Sequence, residues 1–304
     1  MDRTETADDD HVYLSLTEEH GDTDTRWAFG TGFADPLHGV DTTLPDGVDA
    51  AELAAVCLAL GDDALVAAQR LAEWCTRAPE LEEEVALANI GLDLLGQARM
   101  LYARCGQVDG TDRGEDAYAY FRDPGDFRNV ALAELPNGDF AFTVARLLVL
   151  ATWRLALLGR LAAGPDPVLA AIAAKAVPEL TYHRQYAADW VVRLGDGTEE
   201  SHRRMRAALE DLAPYIEEVL NATGTAVRGA QAGPAADADA AQISGPVREE
   251  TLGVLRQVLA AAGLDLPERP AAPYRGRHGE HTEHLAPLLE ELQSVARAHP
   301  EATW

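Results

Sequence analysis

The sequence predicts an all-α fold: a bundle of four core helices with one long crossover and extra helices towards the C-terminus. Three observations predict it. Apolar residues recur at three- and four-residue spacing through four long segments, 49–77, 79–105, 137–163 and 166–194. The links within the first pair and within the second pair are very short, so each pair must fold back as an antiparallel hairpin. Between the pairs lies an irregular stretch, residues 106–136, long enough to travel the length of a bundle. Two hairpins joined by one crossover make the ferritin-like variant of the four-helix bundle.

Residues 1–48 are unlike the rest. They form an acidic extension rich in Asp, Thr and Gly, expected to be an arm with short ordered pieces. Its aromatics, Tyr13, Trp27, Phe29 and Phe33, suit docking on a partner subunit. The helical body, residues 49–304, begins with Asp49 as a cap and Glu52 three positions on. Leu53, Val56, Leu60, Leu65, Ala68, Leu71 and Trp74 carry the first helix. In the second, Pro79 suits the first turn and Glu80, Glu82, Glu83 and Glu84 complement the positive helix start. Gly106 is expected to follow its last turn. Two apolar rows run along this helix: Leu81, Val85, Ala88, Leu92 and Leu95, beside Leu87, Ile90, Leu94, Ala98 and Leu101. Two rows exceed one surface stripe, so the helix is expected at the centre of the bundle.

Gly110, Gly114, Pro124 and Gly125 punctuate the crossover, while Tyr118, Tyr120, Phe121 and Phe127 make it adhesive. Asn137-Gly138-Asp139 starts the third helix. Asp166-Pro167 starts the fourth, in which Pro178 predicts a kink. Added helices are expected over 198–220, 246–262 and 282–298, with the Ala/Gly/Asp-rich residues 221–242 as a loose linker.

A formal charge of −26 argues against nucleic acid and anionic membranes as partners. Lys175 is the single lysine. Cys57, Cys75 and Cys105 sit among apolar neighbours with no CxxC pair, which predicts free, buried thiols in a reducing compartment. The acidic N-terminus has no apolar leader core, and no uninterrupted apolar run reaches 18 residues. A cytoplasmic, soluble protein is expected.

Candidate chemistry follows from the bundle. Ferritin-like di-iron sites take a carboxylate from each of two helices and Glu-x-x-His from each of the other two. Glu199 and His202 match that spacing, but in a first helical turn, where acids are ordinary. His183 stands at a ligand position without its glutamate: Leu180 is three residues before it, and Glu179 points about 100° away. His278, His281 and His284 recur near the C-terminus beside Glu280 and Glu283 and read as the start of a surface helix. On the second helix Asn89, Asp93 and Gln97 stack at four-residue spacing, and a buried polar stripe needs partners.

Residues 61–75 (GDDALVAAQRLAEWC), 78–99 (APELEEEVALANIGLDLLGQAR), 127–146 (FRNVALAELPNGDFAFTVAR) and 182–205 (YHRQYAADWVVRLGDGTEESHRRM) resemble the C subunits of the bacterial ring-1,2-phenylacetyl-CoA epoxidases, multicomponent phenylacetate-degrading monooxygenases. The resemblance covers about 61–205, leaves 1–48 uncovered and is loose over 221–304. It implies a ferritin-like fold and tight association with a catalytic A subunit that holds the di-iron centre. Where catalytic subunits read like Asp-Glu-Ala-Gly-His, this chain has Asp93-Leu94-Leu95-Gly96-Gln97. The implied ligand slots are therefore vestigial: Asp63, Leu94, Gln97, Leu180 and His183. Glu134 and Asp139 are candidates for the third-helix slot.

The expectation is thus a structural, non-catalytic subunit with no cofactor of its own. Di-iron would belong to the partner catalytic subunit, and a reductase elsewhere in the assembly would supply electrons. Asp63, Asn89, Asp93, Gln97 and His183 would form a buried polar network. The alternatives are an autonomous di-iron carboxylate oxidoreductase with atypical ligands, and a helical scaffold unrelated to phenylacetate.

Overall fold

The computed structural model describes residues 37–231 and 236–302. The chain divides into two units, residues 1–38 and 39–304. The arm aromatics Tyr13, Trp27, Phe29 and Phe33 lie outside the described residues. In the second unit, the chain ahead of the first helix already belongs to the body: the Thr42 carbonyl accepts from Arg104 at 2.7 Å, and Val48 is buried.

Nine α-helices are present among the described residues. In chain order they are α1 (Ala50–Ala72), α2 (Leu81–Val108), α3 (Glu115–Tyr120), α4 (Ala131–Glu134), α5 (Phe140–Leu161), α6 (Pro167–Gly195), α7 (Glu199–Gly229), α8 (Ala236–Ala261) and α9 (Leu285–Ala298). Helices α1 and α2 pair closely, as do α5 and α6, and α2 also lies on α6, giving the ferritin-like bundle. The short helices α3 and α4 ride on the crossover. Helix α7 packs across α5, α1 and α6, and α8 covers α7 and α5.

Side-chain caps fix three of the starts. Asp49 accepts from Glu52 N at 2.9 Å, Asp139 from Phe142 N at 3.0 Å and Asp166 from Leu169 N at 2.8 Å. Several boundaries differ from expectation. Helix α1 ends at Ala72, not residue 77, because the chain turns there and Thr76 takes a positive φ of 67°. Cys75 is therefore exposed, whereas Cys57 and Cys105 are buried. Glu80 caps α2, so Pro79 precedes the helix rather than sitting in its first turn. Gly106 does not end α2: the helix continues to Val108, and the Arg113 carbonyl occupies the space a Cβ there would need. The glycine serves close approach of the crossover, not helix termination. Helix α6 runs on through Pro178.

The largest corrections concern which helix is central and where the chain is loose. Helix α5 is the centre: Trp153 is fully buried, its Nε1 donates to Thr223 Oγ1 at 2.8 Å, and 94% of the helix's most apolar window is packed inside. By length and mean hydropathy (1.7) this helix would also suit a membrane span. Of its two apolar rows, helix α2 buries the one formed by Leu87, Ile90, Leu94, Ala98 and Leu101. Its other row faces outward, with Leu81 70%, Val85 51%, Leu92 64% and Leu95 37% exposed.

The expected linker over 221–242 is mostly helix, since α7 extends to Gly229 and α8 begins at Ala236. Ala is the best helix former, and Ala222, Ala226 and Val227 extend the buried row of Val219 and Leu220. Gly229 abuts the Glu52 carbonyl of α1, so glycine content here reports contact rather than slack.

Candidate functional site

The centre of the bundle is polar at one level, and each core helix contributes to it. Helix α1 supplies Asp63 midway along an apolar segment. Its carboxylate accepts from Arg277 Nη1 at 2.9 Å, Arg277 Nη2 at 2.6 Å and the Val130 N–H at 2.8 Å. Helix α5 supplies Arg154, 2% exposed, whose Nη1 lies 3.8 Å from Asp63 and donates to the Leu60 carbonyl at 3.2 Å. Its Nη2 donates to Gln97 Oε1 on α2 at 3.0 Å. Gln97 in turn donates to Glu179 on α6 at 3.0 Å, and Glu179 holds Lys175 at 2.5 Å. One chain of hydrogen bonds thus ties α1, α5, α2 and α6 together. Burial lowers the Arg154 pKa to about 10, opposed by Asp63 and reinforced by Arg277. The guanidinium is still protonated at neutral pH.

Leu94 and Leu180 are buried and present carbon to the interior. His183 is also buried; its Nε2 meets Asp93 Oδ2 at 2.9 Å, while Nδ1 has no partner among the described residues. Burial pulls the His183 pKa below its ordinary value, against the opposing pull of Asp93, so the imidazole is neutral at pH 7. Asp93 is itself 38% exposed. Asn89 does not join this group: it lies on the solvent side of α2, away from the buried row. The structure thus brings Asp63 and Gln97 together through Arg154, pairs Asp93 with His183, and leaves Asn89 outside.

Neither third-helix candidate reaches the centre. Asp139 is the α5 cap. Glu134 sits on α4, fully buried, where Asn129 Nδ2 and His281 Nδ1 each lie 2.9 Å from its Oε2 and the Thr282 N–H donates to Oε1. His281 Nε2 approaches the Phe127 carbonyl at 2.9 Å. Burial lowers the His281 pKa, but Glu134 and the Phe127 carbonyl outweigh it and raise the net value. His281 is therefore a clamp between the crossover and the segment before α9, not the exposed helix start expected; His278 is exposed. His202 Nδ1 meets the Gly195 carbonyl at 2.6 Å, and Glu199 is exposed.

Sequence reasoning missed the cations. Asp62, next to Asp63, is fully buried and takes Arg122, the Tyr102 hydroxyl at 2.6 Å and the Arg128 N–H at 2.7 Å. Burial first, then Asp62, pushes the Tyr102 phenol well above its usual range. Two adjacent aspartates within an apolar helix demand two cations, and Arg122 and Arg277 meet that demand. The signal was available: Asp62-Asp63 inside α1, and Arg146 and Arg154 inside an otherwise apolar α5.

The family described as "Phenylacetic acid catabolic protein" matches residues 41–304. A curated Escherichia coli (strain K12) protein, the C subunit of the 1,2-phenylacetyl-CoA epoxidase, is 40% identical over 259 residues, covering 83% of this chain and 99% of that protein.

Proposed function

We propose a function from one premise: this chain belongs to the phenylacetic acid catabolic protein family. It serves as the C-type subunit of a multicomponent oxygenase that epoxidises the ring of phenylacetyl-CoA. Its role there is structural: it braces a catalytic di-iron subunit and holds no metal of its own. A reductase elsewhere in the complex supplies electrons, and the assembly works in the cytoplasm.

Arg154 is the observation that carries this reading. A di-iron pair needs about four carboxylates and two histidines converging from four helices. The bundle centre instead offers Asp63, already saturated by Arg277 and Val130, with Leu94 and Leu180 where anionic donors would stand. A protonated guanidinium lies 3.8 Å from that carboxylate, and Glu179, the other acid in the same network, is held by Lys175 and Gln97. Placing hard cations beside it would set like charges together in a medium of low dielectric, so the donor set does not fit.

The test is metal analysis of protein produced in iron-rich medium, together with reconstitution alongside the catalytic subunit of the same organism. The reading expects far less than one iron per chain, and epoxidation only in fractions where both subunits co-elute. A reproducible value near two irons per chain, or epoxidation by this chain with a reductase alone, overturns it.

A further inference from the structure

We propose that the outward face of α2 is the seat of one long α-helix of the catalytic di-iron subunit, with lysine or arginine flanking its apolar seam. The inference rests on the reading above that the chain works as a subunit. Leu81, Val85, Ala88, Leu92 and Leu95 follow one another at steps of four, three, four and three. That alternation is the seam of a coiled coil, which presents a narrow ridge to a single partner helix at a shallow crossing angle. From Leu81 to Leu95 it runs about 21 Å. Four of its five side chains are large, apolar and 37–70% exposed. An apolar surface this continuous marks an interaction site. Ala88 at mid-seam and the open space around Gly96 leave room for bulky side chains from the incoming helix.

Charge selects the occupant. Glu80, Glu82 and Glu83 stand at the start of the seam and make no ion pair among the described residues. Arg99 at the far end is already held by Glu115 at 2.7 Å. A second copy laid parallel would set glutamates against glutamates; laid antiparallel, it would offer an arginine that is already engaged. Each copy also carries a formal charge of −26. Residues 1–36, with ten acids against two arginines, have the wrong sign as well. A basic-flanked helix of another chain satisfies both the seam and its acids.

The experiment measures affinity between this full-length chain and the catalytic di-iron subunit of the same organism's epoxidase. Leu92→Asp is expected to weaken binding at least about 30-fold, as loss of a central anchor does. Val295→Asp, at a comparably exposed site on α9, should bind as wild type. Glu82→Lys with Glu83→Lys should weaken binding and flatten its salt dependence. Circular dichroism should be unchanged throughout, because these positions face solvent or the margin of the helix. Wild-type affinity in Leu92→Asp overturns the inference and leaves the subunit reading standing. Failure of the unaltered chain to bind overturns that reading, and the inference with it. A homodimer of the isolated chain that Leu92→Asp dissolves would assign the face to a second copy and overturn the proposal too.

Discussion

Replacing Arg154 by Met separates the energetics of this bundle from those of a metal site. The substitution removes the bond to Gln97 Oε1, the 3.8 Å approach to Asp63 and the bond to the Leu60 carbonyl, which lies within helix α1. Asp63 keeps both nitrogens of Arg277 and the Val130 N–H, so no bare carboxylate is created. What remains exposed to loss is the buried Gln97 oxygen, whose desolvation without a partner costs roughly 1–3 kcal/mol. The apolar methionine recovers part of the packing, which keeps the total below the roughly 3–5 kcal/mol of a broken buried ion pair. Combining Arg154→Met with Gln97→Leu removes both partners, and Glu179 retains Lys175. The double variant is expected within about 1 kcal/mol of wild type, a coupling that a double-mutant cycle in urea reads directly. Strict additivity of the two substitutions, or a single-variant loss well beyond 5 kcal/mol, would refute the assignment of Arg154 as the link between Gln97 and Asp63.

Other consequences can be checked in the same way. Arg277→Met strips Asp63 of its closest counter-charge and should cost about 3–5 kcal/mol, with faster amide exchange around residues 276–282. The histidines His183 and His281 should give pH slopes of opposite sign. His281 has a raised folded-state pKa, so its stabilisation is complete below about 6.5 and is lost as pH rises through the folded value; His281→Gln should abolish that alkaline-side decline. His183 has a lowered folded-state pKa, so stability falls as pH drops below about 6.5, and His183→Gln should flatten that acid-side decline. Within the complex, His183→Ala should lower epoxidation only as far as it lowers the yield of assembled complex; full assembly with a hundredfold loss of turnover would make His183 a working residue. Glu218 of α7, whose carboxylate accepts from the Ala131 and Gly276 N–H groups, has its pKa raised to about 7 chiefly by burial. Stability should therefore decline as pH rises from about 4.5 to 7, a decline Glu218→Gln should remove.

The bundle was legible where periodicity and capping agree. Asp49, Asp139 and Asp166 announce helix starts, and short links announce hairpins. Periodicity could not say which of two apolar rows on α2 meets the core, because a row meant for a partner and a row meant for the interior obey the same spacing. Composition misled at 221–242, where alanine and glycine serve helix formation and close packing as readily as they serve linkers. In the candidate site, the chemistry of Leu94 and Leu180 is plain from their identity, since an aliphatic chain cannot replace a carboxylate; that they stand in ligand slots is what the family resemblance implies. Arg154 could not be paired in advance. Its partners are Gln97, 57 positions away, and Asp63, and nothing local records which of several buried arginines meets which acid.

The bond between Asp63 and Arg277 spans 214 positions of sequence, and that separation orders events during synthesis. A ribosome adding about 5–20 residues per second makes Arg277 roughly 10–40 s after Asp63. Arg154, on α5, emerges much sooner than Arg277. In the finished fold it lies 3.8 Å from Asp63, at longer range than the final partner, while Arg122 serves the neighbouring Asp62. The arginine at the centre is thus placed to lend a nascent chain a provisional counter-charge until the C-terminal segment is made. Truncation before residue 277 should accordingly leave a compact but looser intermediate, rather than an unfolded chain, still tethered to the ribosome.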